Sequence, residues 1–150
     1  MGHAEQGVFA HWVVAHVFKR PLAYIGFGGL GHQVRDVLHV DDLATLVDQQ
    51  LAGGGEPPGE VFNVGGGVGN SVSLAELTKL CEELTGSRLE IEARAETRSG
   101  DVPIYITDNA KVQAHYGWQP RREVRQIAAD LYQWVSTNRE LLRATLLEHR

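Results

Sequence analysis

The chain has 150 residues, 43% hydrophobic and 22% charged, with a net charge of −5 and a pI near 5.8. That is enough for one domain with its own core, and it argues against broad nucleic-acid binding, which wants a basic face. One cysteine, Cys81, excludes an internal disulfide and suggests a reducing, cytoplasmic setting; no apolar run has membrane-spanning or signal-peptide form.

In chain order, residues ~5–18 read as a helix, with Val8, Phe9, Trp12, Val13, His16 and Val17 on one face. His16 there reads as a packed histidine. Lys19-Arg20 close the helix and Pro21 stops it. Leu22–Ile25 reads as a short strand entering a glycine loop. That loop matches G-x-G-x-x-G by letter at Gly26, Gly28 and Gly31. A dinucleotide fingerprint must open a helix, and this loop leads into a strand instead, so it reads as a structural turn.

Residues 33–40 alternate charged and apolar side chains, as a half-buried strand does, and place Arg35 on it. Asp41-Asp42 then read as the cap of a helix to Leu51, stopped by Gly53-Gly54-Gly55 and Pro57-Pro58. Residues 60–64 form a predicted strand. The glycine run 65–70 follows, and Ser73 with Glu76 makes a capping box for a helix carrying Leu74, Leu77, Leu80, Cys81 and Leu84. This second glycine run sits between a strand and a helix. It suits a phosphate cradle by context, or else a tight turn. No lysine follows it as a P-loop requires.

Residues 88–95 read as a strand and 97–103 as a loop. Residues 104–106 are extended, and Asp108 caps a short helix stopped by Gly117. A last helix, ~122–143, has an inner stripe of Val124, Ile127, Leu131, Trp134 or Val135, and Leu141. Five short strands alternating with five helices make the class α/β, read as a single domain over 1–150.

The seven histidines are scattered without metal-ligand spacing, and no G-x-S-x-G elbow is present. Asp36, Asp41 and Asp42 need no catalytic role. Two features carry chemistry. Arg35 lies on a strand, and Arg98 lies in a loop just before Asp101 and Tyr105. Two arginines can hold a diphosphate bidentately, with a carboxylate for ribose hydroxyls. The same residues also suit a solvated surface.

Four stretches in order give a resemblance over nearly the whole chain. They are Val34-Arg-Asp-Val-Leu-His-Val-Asp-Asp-Leu43, Val61-Phe-Asn-Val-Gly-Gly-Gly67, Gly69-Asn-Ser71 and Arg98-Ser-Gly-Asp-Val-Pro-Ile-Tyr105, with Gly117-Trp118-x-Pro120 closing. They resemble the C-terminal half of extended short-chain dehydrogenase/reductases, the NAD-dependent nucleotide-sugar epimerases and dehydratases. The loop after Tyr24 with Gln33-Val34-Arg35 is similar to the CDP-paratose 2-epimerase branch.

The resemblance implies an α/β fold, the substrate-binding C-terminal part of that architecture with a remnant Rossmann helix and strand. It implies that Arg35 and Arg98 bind a substrate diphosphate and Asp101 the nucleotide ribose. Tyr105 would stand at the sugar or ribose side, and Ala23 and Ile25 against the base. The ligand would be a nucleotide-diphosphate sugar. NAD is implied for the intact family, whose N-terminal half is expected to be absent here. The catalytic Tyr-x-x-x-Lys pair is missing: Tyr24, Tyr105, Tyr116 and Tyr132 are followed four residues on by Gly28, Asn109, Pro120 and Ser136. The expectation is a chain with no catalytic, cofactor-binding or metal-binding residues of its own. Self-association as a homodimer would cover the surface the missing half leaves exposed, and a separate N-terminal half would complete an enzyme; the alternative is a non-enzymatic interaction or assembly module that reuses the fold.

Overall fold

The computed structural model describes residues 7–53 and 59–147. Its elements are α1 (Val8–Phe18), β1 (Leu22–Ile25), β2 (Val34–Asp36), α2 (Val40–Ala52), β3 (Ser71–Ser73), α3 (Leu74–Thr85), β4 (Ile91–Arg94), β5 (Ile104–Tyr105), α4 (Ala110–Tyr116), α5 (Val124–Thr137) and α6 (Arg139–Leu147). The class is α/β, as expected. Contacts divide the chain into two compact units, one of Gln33–Ser73 with Val102–Ile127, the other of the remaining segments. No described helix is long and apolar enough to cross a membrane.

In the unit containing the N-terminal helix, α1 packs on α3. α1 stops because Lys19 takes a left-handed conformation (φ 52) and its N–H closes on the Ala15 carbonyl. Thr78 on α3 is the polar hub of this interface. It donates to the Leu74 carbonyl at 2.8 Å and accepts from Trp12 Nε1 at 2.9 Å. A hydroxyl has one proton and two lone pairs, so Tyr24, 2.7 Å away, must be the donor to Thr78. Tyr24 also stacks on Trp12, with ring centroids 6.0 Å apart. His16 is packed as expected, with Nδ1 donating to the Trp12 carbonyl at 2.8 Å. Cys81 is buried on α3, and desolvation pushes its thiol up to about 12, which removes it as a nucleophile.

β1 and β4 pair in parallel, Ala23 beside Glu92 and Ile25 beside Arg94. The predicted strand 88–95 is thus shorter. The predicted helix ~122–143 is two helices. They part at Asn138, whose N–H and side-chain amide both donate to the Trp134 carbonyl. The buried positions of α5 are Ala128 and Val135, so of the two alternatives expected for the stripe Val135 is the inner one and Trp134 is exposed, as is Leu141.

The second unit holds a mixed sheet of order β3-β2-β5, with β2 antiparallel to β3 and parallel to β5. The strand predicted over 33–40 ends at Asp36. Beyond it Val37 N–H still bonds Asn70 at 3.0 Å, and the chain then turns into α2. α2 starts at Val40, not Asp41. His39 is its cap, with Nδ1 accepting the Asp41 N–H at 3.1 Å. Gly53 ends α2, and the rest of the predicted Gly-Pro stop lies outside the described residues.

The predicted strand 60–64 joins no sheet. Its alternation is real: Phe62 and Val64 pack against the cluster of Leu46, Val112 and Trp118, while Val61 points outward. The Val61 carbonyl accepts Lys111 Nζ at 2.8 Å in place of a neighbouring strand. Period two reports which face is buried, not whether a ladder partner is at hand.

Candidate functional site

The six residues expected to touch a ligand fall four to one unit and two to the other. Ala23, Ile25, Arg98 and Asp101 belong to the unit of α1 and α3, Arg35 and Tyr105 to the mixed-sheet unit.

Side chains alternate along β1. Leu22 and Tyr24 face α1 and α3, so Ala23 and Ile25 face the other way, both half-buried. Register puts Glu92 and Arg94 beside them on that outer face, ion-paired at 2.7 Å. The Arg94 hydrogen bond holds the Glu92 carboxyl below its ordinary range.

Arg98 and Asp101 are the two ends of one turn. The Asp101 N–H donates to the Arg98 carbonyl at 3.1 Å, and Gly100 between them has φ +83. A left-handed third residue is the mark of a type II turn, which keeps its first and last Cα atoms within about 7 Å. The Arg-x-x-Asp spacing thus becomes a compact pair of a cation and an anion, both exposed.

Arg35 and Tyr105 are register partners in the parallel β2–β5 pair, so both stand on the same face. Arg35 is half-buried, and its guanidinium donates to the Val34 and Val102 carbonyls, each at 2.8 Å. Those bonds fix the fork on the sheet instead of leaving it to sweep through solvent. Asp36 points to the opposite face, where Oδ2 accepts the Gly67 N–H at 2.9 Å.

Neither glycine loop leads directly into a helix. Residues 26–31 form a 3-10 turn between β1 and β2, as expected, and open no helix. The run 65–70 is followed by β3 before α3 begins, so the expected loop-to-helix context fails. Its amides are also committed. Gly65 N–H donates to Asn109 at 3.0 Å and Gly67 N–H to Asp36. An open cavity of about 710 Å³ in the same unit is lined by residues 66–70, 106–110 and 119–123 among others. Among the described residues no cluster of three His, Cys, Asp or Glu is arranged for a metal.

Two long-range tethers were not legible in the sequence. Asp42, read as a cap, is a buried anchor. Its carboxylate accepts the Arg121 and Arg122 N–H groups at 3.0 Å each, and Arg122 Nη1 at 2.6 Å. The basic pair Arg121-Arg122 after Gly117-Trp118 was the available signal. Thr97, read as plain loop, accepts the Phe27 N–H at 2.9 Å. Nothing in its spacing announces a bond across 70 residues.

No protein-family model matches the chain. Among curated proteins it is similar to CDP-paratose 2-epimerase of Salmonella typhi, 33% identical over 73% of this chain and 32% of that protein. It is also similar to UDP-glucose 4-epimerase of Yersinia pestis, 38% identical over 72% of this chain and 31% of that protein. Its fold matches UDP-glucose 4-epimerase of Thermotoga maritima, solved with UDP-glucose, at TM-score 0.71 and 27% identity, over 91% of this chain and 41% of the other. Other structural neighbours were solved with a UDP-sugar and NAD together. The chain spans about a third of the length of the curated relatives it matches. It belongs to the family of NAD-dependent nucleotide-sugar epimerases, the extended short-chain dehydrogenase/reductases, as a part of that architecture.

Proposed function

We propose that the chain is the nucleotide-sugar-binding, C-terminal part of an NAD-dependent epimerase/dehydratase and does not catalyse alone. Arg35 and Arg98 hold the diphosphate, where a planar guanidinium pairs bidentately with phosphate oxygens. Asp101 accepts from the ribose hydroxyls, Tyr105 stands at the sugar or ribose side, and Ala23 and Ile25 lie against the base. The observation that carries the reading is the Arg98–Asp101 turn in the same unit as the outer face of β1. Sugar oxidation needs a hydride acceptor and a base within reach. No tyrosine of these 150 residues has a lysine four positions on. NAD and the acid/base pair must therefore come from other residues than these.

Titration of the chain with UDP-glucose and with a CDP-sugar tests this. Binding is expected to be weak, in roughly the millimolar range, because part of the cleft's contacts and desolvation is supplied elsewhere. Arg98→Ala and Arg35→Ala should each weaken it about ten-fold or more, the cost of a charge-assisted hydrogen-bond pair. No response at millimolar ligand would reject the reading.

The same reading assigns a protein partner, either a second copy or a polypeptide bearing the NAD site. Its support is an apolar stripe on α2, where Val40, Leu43, Val47 and Leu51 are 70%, 41%, 44% and 78% exposed, with Val61 at 76%. Sedimentation equilibrium should show concentration-dependent association that Leu51→Glu with Val47→Glu abolishes. A monomer at every concentration would rule out self-association. With its one cysteine buried, the chain suits a reducing, cytoplasmic setting.

A further inference from the structure

Thr97 stands one residue before Arg98, exposed and outside any helix or strand. Its Oγ1 accepts the backbone N–H of Phe27 at 2.9 Å. Phe27 is two residues beyond Ile25, the end of β1, and sits in the left-handed region at φ 48. A phenylalanine rarely adopts that conformation without a tether. The tethers are visible. Gly26 N–H donates to the Arg94 carbonyl at 2.8 Å. Gly29 presses so close to β4 that a Cβ there would lie 2.9 Å from the Arg94 nitrogen and 3.0 Å from Ala93 Cβ.

The glycine loop is thus clamped on β4 as far as Arg94. The chain then leaves the ladder at Ala95 and Glu96, and the tie resumes at Thr97. Thr97 therefore joins the end of β1 to the turn that carries Arg98 and Asp101.

We infer that Thr97 is a positioning residue, which fixes the spacing between the base-facing end of β1 and the diphosphate-binding Arg98. It touches no ligand and acts through Arg98. This inference rests on the nucleotide-sugar reading above. Its consequence is specific to ligands that span both ends. UDP, with base and diphosphate, depends on the spacing. Uridine, with base and ribose alone, does not reach Arg98 and depends on it less.

The test is NMR titration of the whole chain with UDP and, separately, with uridine. Thr97→Val keeps the shape and removes the acceptor; Thr97→Ser keeps the hydroxyl. Thr97→Val is expected to weaken UDP about five-fold, the worth of one hydrogen bond, and to leave uridine within two-fold. Thr97→Ser should match the parent for both, and Phe27 amide exchange should quicken in Thr97→Val alone. Equal loss for UDP and uridine would mark a merely structural residue and overturn the inference. So would unchanged UDP affinity, or a serine variant behaving like valine. A parent chain that fails to bind UDP would instead reject the nucleotide-sugar reading and this role with it.

Discussion

Replacing Asp42 by alanine is expected to lower the unfolding free energy by about 3 kcal/mol, the cost of stripping a buried charge from its partners. Asp42 is 2% exposed on α2. Its carboxylate gathers two backbone N–H groups and the Arg122 guanidinium, and its carbonyl accepts Trp118 Nε1 at 2.9 Å. Trp118 in turn packs with Leu46 and Val112. Truncation orphans the Arg121 and Arg122 amides and loosens the segment that seats Trp118. The Arg122 side chain is 36% exposed, so water partly rescues the guanidinium; that keeps the figure at the low end of the range for broken buried pairs.

The pH dependence of this anchor has a definite sign. Burial raises the Asp42 carboxyl, but the backbone hydrogen bonds from Arg122 and Arg121, with the side chain and charge of Arg122, outweigh it. The folded value lies below the ordinary 3.8. The contribution is therefore complete above about pH 4 and is lost as pH falls through the depressed folded value. Urea unfolding at pH 7 and in steps down to pH 2 checks both claims. Asp42→Asn should shed much of the acid sensitivity along with the stability. A loss under about 1 kcal/mol in Asp42→Ala would show that the carboxylate is not an anchor.

Asp42 also marks how far the residues could be read without coordinates. Its place at the start of a helical pattern was legible; its partners, about 80 positions later, were not. Local signals held where local physics decides. The α1, α2 and α3 helices came from apolar spacing, with stops after α1 at Lys19 and after α2 at Gly53, and α4 came from a cap at Asp108 and a stop at Gly117. Signals failed where a second segment decides. Residues 60–64 alternate like a strand but lack a ladder neighbour among the described residues. The apolar pattern ran on through Leu141, but the helix is divided at Asn138, whose side-chain amide donates to the Trp134 carbonyl. For the candidate site, Arg98-x-x-Asp101 was legible because a turn is local. The Thr97–Phe27 bond joins two loops, and nothing in either loop alone requires it.

Gly66→Ala is expected to be as damaging as the loss of Asp42, about 3 kcal/mol, the upper end of the cost of overpacking. The cause is not backbone freedom, since Gly66 is not among the left-handed residues. It is space. A Cβ at Gly66 would strike the Val37 carbonyl oxygen and lie 2.8 Å from its carbonyl carbon and 2.9 Å from Asn70 Cβ. Backbone atoms cannot rotate away as the tip of a side chain can, and Val37 is itself pinned by its N–H bond to Asn70. To admit the methyl group, the 65–70 loop must move off the end of β2. Gly69 is the internal control: a Cβ there meets nothing within 4 Å, so Gly69→Ala should stay within about 0.5 kcal/mol of the parent. Urea midpoints of the two variants give the comparison, and equal midpoints would refute the steric account. The displacement also reaches the candidate site, because Val37 is two residues from Arg35 on a strand whose register pairs Arg35 with Tyr105. Gly66→Ala protein that remains folded at low temperature should therefore bind UDP-glucose more weakly than Gly69→Ala, although neither glycine is among the residues assigned to the ligand.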